Sequence, residues 1–202
     1  MTKRSLSQFT ALMTACLIAT GVLATKSQAE WTLDNDASEL SFVTIKADHV
    51  AEIHTFDTLS GKLSNQGDLR ITIDLASVNT LIPIRDERMQ AMLFETDRFP
   101  RGNVSGQLDL QKLSSLAVGD STIVSVPFTL DLHGSSQEIA PDLLVTKLAN
   151  GRLLAGTTKP IIVMADSFGL VEGVQRLREV AGLPSISNAV PVNFTVVFQQ
   201  DQ

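Results

Sequence analysis

The densest run of reactive side chains is Arg85-Asp-Glu-Arg88, four consecutive charges that open a short amphipathic stretch continuing through Met89, Met92, Leu93 and Phe94. Asp86 and Glu87 favour a helix N-terminus, where unpaired N–H groups carry partial positive charge, and Arg85 and Arg88 can pair with them locally. Elsewhere chemistry is sparse. The three histidines are His49, His54 and His133. The first two are five apart, which on one strand puts them on opposite faces. There is no His-x-His pair and no His-Glu-x-x-His run, so no metal-ligand spacing is present, and each histidine reads as a surface or turn residue. Gly102-Asn-Val-Ser-Gly106 has the wrong spacing for a nucleophile elbow and lies inside a strand pattern.

The single cysteine, Cys16, falls in an N-terminal apolar run preceded by Lys3 and Arg4 and followed by Ser27-Gln28-Ala29. That layout predicts a secretory leader over residues 1–29, cleaved before Glu30, with 30–202 as a single domain. The run is shorter than the roughly 20 residues of a spanning helix, so no stable membrane insertion is expected. The mature chain then has no thiol and no disulfide. Losing Lys3, Arg4 and Lys26 takes the formal charge from −6 to −9, which disfavours nucleic acid as a partner. With no cysteine, no tyrosine and no clustered histidine, only carboxylates on wet strand faces remain for catalysis, and their spacing does not ask for it. A non-enzyme without metal or cofactor is expected.

The elements that would position these residues are strands. Leu69-Arg-Ile-Thr-Ile-Asp-Leu75 alternates apolar and polar without a break, and the same period returns in Val104–Leu110, Val124–Leu132 and Val190–Phe198. Weaker strands are predicted at Leu40–Lys46, Ile53–Leu63, Leu143–Leu148, Leu153–Thr157 and Ile161–Ala165. Pro127 and Pro191 must mark an edge, a bulge or a strand start. A second helix is predicted over Leu170–Ala181, stopped by Gly182 and Pro184. Half-buried strands of this kind predict an all-β fold, a closed antiparallel barrel of about eight strands with one or two short helices at its mouth. The lumen of such a barrel is either filled by its own side chains, as in an interaction or stress-response module, or wide enough for one small ligand. The apolar phase places Phe42, Ile71, Ile73, Val126, Phe128, Leu130, Phe194 and Val196 there.

From Trp31 to about Gln199 the chain resembles the YceI family of secreted bacterial proteins. The resemblance rests on Trp31-Thr-Leu-Asp34, Ser38-Glu-Leu-Ser-Phe42 and Phe56-Asp-Thr-Leu-Ser-Gly61, and on the block Ser77-Val-Asn-Thr80, Arg85-Asp86, Met89, Phe94 and Phe99-Pro100. Phe128-Thr-Leu-Asp-Leu-His-Gly134 and Asp166-Ser-Phe-Gly169 complete it. It implies a lipocalin-like barrel in the periplasm that binds an isoprenoid-type lipid, a quinone or a polyprenyl phosphate, with a homodimer left open. It also implies that the segment after Thr80 caps the barrel mouth, with Met89, Met92, Leu93 and Phe94 turned inward and Phe168 in the lumen. Arg85 or Arg88 would then meet the lipid head group. Two departures stand out: tyrosines common in relatives are missing, and Val171–Pro184 forms a helical insertion.

Overall fold

The computed structural model describes residues 30–47 and 49–201, so the expected leader with Cys16 lies outside the described residues. Among those described, thirteen strands form one antiparallel sheet. In chain order they are β1 (Trp31–Lys46), β2 (Val50–Phe56), β3 (Leu59–Leu63), β4 (Asp68–Asp74), β5 (Val78–Asn79), β6 (Arg101–Gln107) and β7 (Ser121–Ser125). The remaining six are β8 (Phe128–Leu132), β9 (Ser135–Ile139), β10 (Asp142–Lys147), β11 (Leu153–Thr157), β12 (Ile161–Met164) and β13 (Ala189–Gln200). Three α-helices join them: α1 (Pro83–Arg88), α2 (Leu110–Ser114) and α3 (Val171–Val180). Residues Met89–Phe94 continue α1 as a wider turn with i→i+5 bonding.

The pairing order is β7-β10-β11-β13-β1-β3-β4-β6-β8-β9, and the sheet curls into a half-barrel. No ladder among the described residues joins the end strands β7 and β9, so the path is open where a closed ring of about eight strands was expected. The strand count differs because expected single strands break. The chain from Val124 to Leu132 divides at Pro127, which has no N–H to donate. On one side of it β7 pairs with β10, and on the other β8 pairs with β6 and β9. The stretch Ile53–Leu63 likewise divides into β2 and β3. The strand expected over Val104–Leu110 ends at Gln107, because the Asp109 carboxylate accepts the Gln111 N–H and starts α2.

Two long strands form the spine. The first half of β1 pairs with β3 and its second half with β2, while β13 pairs with β12 at its start and β11 at its end. Between Asp34 and Glu39 the β1–β13 register shifts, a bulge that bends the spine. The result is two tiers. In one, Leu33, Leu59, Leu63, Leu69 and Phe198 pack into a core. In the other, Phe42, Leu75, Val78, Met89 and Phe94 pack beneath the cap. α3 closes this second tier from the side, and Gly173 is where it presses on the cap: a Cβ there would lie 2.7 Å from the Met92 carbonyl oxygen and 2.8 Å from Leu93 Cα.

Candidate functional site

The site begins with the hairpin of β1 and β2. Its register pairs Leu40 with Phe56, Phe42 with His54, and Thr44 with Glu52, ending at Lys46. These alternate residues all face one cavity. Along the hairpin the lining therefore changes from Leu and Phe in the interior, through His and Thr, to Glu and Lys at the mouth. Such a gradient matches an amphiphile held tail inward.

The cavity measures about 360 Å³, within the range of roughly 300–1,000 Å³ usual for small-molecule pockets. A second, wholly apolar cavity of about 80 Å³ lies deeper. Leu40, Ile73, Val104, Phe128 and Phe194 line both, so they form the waist between the two. Of the residues expected in the lumen, Phe42, Met89, Phe94 and Leu130 line the larger cavity, and Ile71, Val126 and Val196 the smaller. Ile73, Phe128 and Phe194 belong to the waist.

Met92 and Phe168 line neither cavity. Widening the helix to i→i+5 bonding turns Leu93 and Phe94 toward Met89's side and rotates Met92 off it, leaving Met92 half-buried with its carbonyl beside Gly173 of α3. Phe168 is 2 % exposed and packs in the cluster of Phe128, Leu130 and Val174, one layer behind the wall.

The charged start of the cap does not pair with itself. Asp86 accepts the Thr80 N–H at 2.8 Å and also the Thr80 hydroxyl. Arg85 reaches across the mouth: Nη1 donates to Glu52 Oε2 and Nη2 to the Thr80 carbonyl, both at 2.7 Å. Lys46 Nζ meets the same Glu52 oxygen at 2.6 Å. The Lys46 hydrogen bond, seconded by Arg85, holds the Glu52 carboxyl below its ordinary range against the opposing effect of burial. Arg88 lines the cavity, half-buried, with no ion pair or hydrogen bond among the described residues.

His54 is among the site residues that the sequence reading missed, with Lys46 and Glu52. It is 3 % exposed, not a surface histidine. Its Nε2 shares a 2.9 Å hydrogen bond with the Thr44 hydroxyl, its ring meets Phe42 edge-on at 5.3 Å, and its Nδ1 has no partner. Burial, followed by the charge of Arg85, pushes its pKa below the ordinary histidine value. Alternation from Phe42 would have put Thr44 and Lys46 on the lumen side. It could not have put His54 opposite Phe42, because that depends on the hairpin turn.

The roof comes from α3 and the segment after it, through Val174, Leu177, Val180 and Leu183. Glu95 anchors this side, with Arg98 at 2.7 Å and Arg176 at 3.3 Å.

A family model described as a YceI-like domain matches residues 31–198. The chain belongs to the YceI-like family. Among solved structures, this YceI-like chain is similar to a polyisoprenoid-binding domain from Saccharophagus degradans implicated in plant cell wall breakdown. The two share 40 % identity at a TM-score of 0.83, covering 85 % of this chain and 98 % of that one. BcnA of Burkholderia cenocepacia matches at 16 % identity and a TM-score of 0.62, covering 82 % and 98 %. The Campylobacter jejuni YceI protein matches at 16 % and 0.53, covering 74 % and 84 %. The last two share the fold alone. No curated protein matches the chain.

Proposed function

We propose that this YceI-like protein is a periplasmic binding or carrier protein, not an enzyme. It holds an isoprenoid-type lipid, a quinone or a polyprenyl phosphate, with the tail in the cavity and the head group at the mouth. The observation that carries this reading is the hollow itself: apolar side chains surround about 360 Å³ and leave it unfilled, with a further 80 Å³ beyond the waist. A barrel serving only as a packed interaction module has no use for such a space, which costs dispersion contacts on every wall. The description of the Saccharophagus degradans relative as a polyisoprenoid-binding domain supports the same reading. Each buried methylene contributes about 0.8 kcal/mol, so ten buried carbons give about 8 kcal/mol before ordering costs. One hydrogen bond to a charged group contributes about 1.5–3 kcal/mol. The tail therefore sets affinity, and the head group sets the choice among lipids. Native mass spectrometry of the protein taken from its own periplasm, followed by lipid extraction, tests this. A bound prenyl lipid is the expected result. A protein that arrives without lipid and refuses added lipid would remove the proposal.

A further inference from the structure

Resting on the isoprenoid-binding reading, we infer that His54 Nδ1 is the hydrogen-bonding point for an uncharged oxygen head group, a carbonyl or a hydroxyl, at the inner edge of the cavity's polar end. Three observations lead there. First, among the described cavity-lining residues only two buried side-chain nitrogens lack a partner, His54 Nδ1 and Arg85 Nε. A buried polar atom without a partner costs about 1–3 kcal/mol, so a ligand oxygen that moves aside the groups covering it gains more there than in water. Second, Arg85 already faces a carboxylate and a carbonyl, giving one N–H of Nη1 to Glu52 and one N–H of Nη2 to the Thr80 carbonyl. Lys46 also gives one of its three N–H groups to Glu52. A phosphate brings three acceptor oxygens and about −1.5 to −2 charges, and would need several donors placed together. The inner site offers it single nitrogens close to the Glu52 carboxylate. One carbonyl or hydroxyl oxygen suits a single nitrogen.

Third, the partner of Nε2 is a hydroxyl. Thr44 can donate to Nε2, which leaves Nδ1 as an N–H donor for a carbonyl, or it can accept from Nε2, which leaves Nδ1 as an acceptor for a hydroxyl. The same imidazole can thus hold a head group in either state once the groups now covering Nδ1 give way, the Thr44 hydroxyl turning to suit. Burial and the Arg85 charge both disfavour the imidazolium, which preserves this two-way capacity at neutral pH. Arg88 is the rival position, a free guanidinium that would suit an anionic head.

The test uses lipid-stripped whole mature protein and displacement of N-phenylnaphthylamine by three probes with the same tail: farnesene, farnesol and farnesyl diphosphate. Farnesol is expected to bind about tenfold tighter than farnesene, the worth of one well-made hydrogen bond, and no weaker than the diphosphate. His54→Phe should bring farnesol down to the level of farnesene. In the unaltered protein the imidazole Nδ1 resonance of His54 should shift with farnesol and not with farnesene, a readout that needs no variant to fold. Equal binding of farnesene and farnesol, an unmoved Nδ1, or diphosphate binding tightest and weakening in Arg88→Gln would each overturn the assignment. If even farnesene fails to displace the dye, the isoprenoid reading falls, and this one with it.

Discussion

Arg85 Nη1 lies 2.7 Å from Glu52 Oε2, a bond between residues 33 apart that ties the cap to the β1–β2 hairpin across the cavity mouth. Both side chains are partly shielded, 25 % and 31 % exposed, so the pair is worth more than an open surface contact. Glu52→Gln keeps an acceptor and removes the charge. We expect a loss of about 1 kcal/mol, or about 2–4 °C in Tm for a domain of this size. The sign with pH follows from the direction of the shift. A carboxyl held below its ordinary value of 4.5 contributes stability that is complete above that value and lost as pH falls through the lower, folded one. Calorimetry on acidification should show this loss in the parent and a smaller one in Glu52→Gln. An unchanged acid limb would mean the pair contributes nothing.

Gly173→Ala tests the seam between α3 and the cap. In an open helix, alanine is favoured over glycine by about 1 kcal/mol. Here the new methyl would meet backbone at 2.7 Å and 2.8 Å, and backbone yields less readily than a flexible side chain. Overpacking of this kind costs about 1–3 kcal/mol, so the net sign should be destabilising. Hydrogen exchange should quicken over 89–94 in particular, since that turn must move away. A stabilised variant would show that the helix can shift without cost.

Phe128 lines both cavities and is 8 % exposed. Phe128→Ala should cost about 3–5 kcal/mol, the range for phenylalanine truncated in a core. It should also join the two hollows, and so lengthen the prenyl chain that the stripped protein retains best. Chemical denaturation gives the first quantity, and a series of prenyl alcohols of increasing length gives the second. A stability loss with no change in preferred length would place the tail elsewhere.

Alternation made much of this legible. β4, β11, β12 and β13 lie within two residues of the expected bounds. What failed were features decided by distant partners. Pro127 announced a break, yet the transfer of the chain from β10 to β6 and β9 depends on three other strands. Met92, which the resemblance implies is turned inward, lines neither cavity, because the turn there is wider than that of an ordinary helix. Arg85 and Arg88 carry enough local carboxylates to pair with, and the sequence could not reveal that Glu52 would sit opposite. For the same reason the hairpin register hid His54 as a lining residue.

His54 offers the last prediction, because its titration is separated from that of Glu52. The groups acting on it are Arg85 and Lys46, which disfavour its proton, and Glu52 and Asp86, which favour it. Burial outweighs each of them, and the net shift is downward from 6.5. The folded chain therefore binds fewer protons than the unfolded chain between the folded value and 6.5. Stability from this residue is complete above 6.5 and declines as pH falls below it. This decline begins above the window of Glu52, whose ordinary value is 4.5, so the two can be read in one acid titration. In lipid-stripped protein, urea midpoints should fall as pH drops from about 7 toward 5, and His54→Phe should flatten that limb while leaving the lower one in place. A head group bonded to Nδ1 as an acceptor favours the neutral imidazole further, so farnesol should move the decline to lower pH. An upper limb unchanged in His54→Phe would show that His54 does not set it.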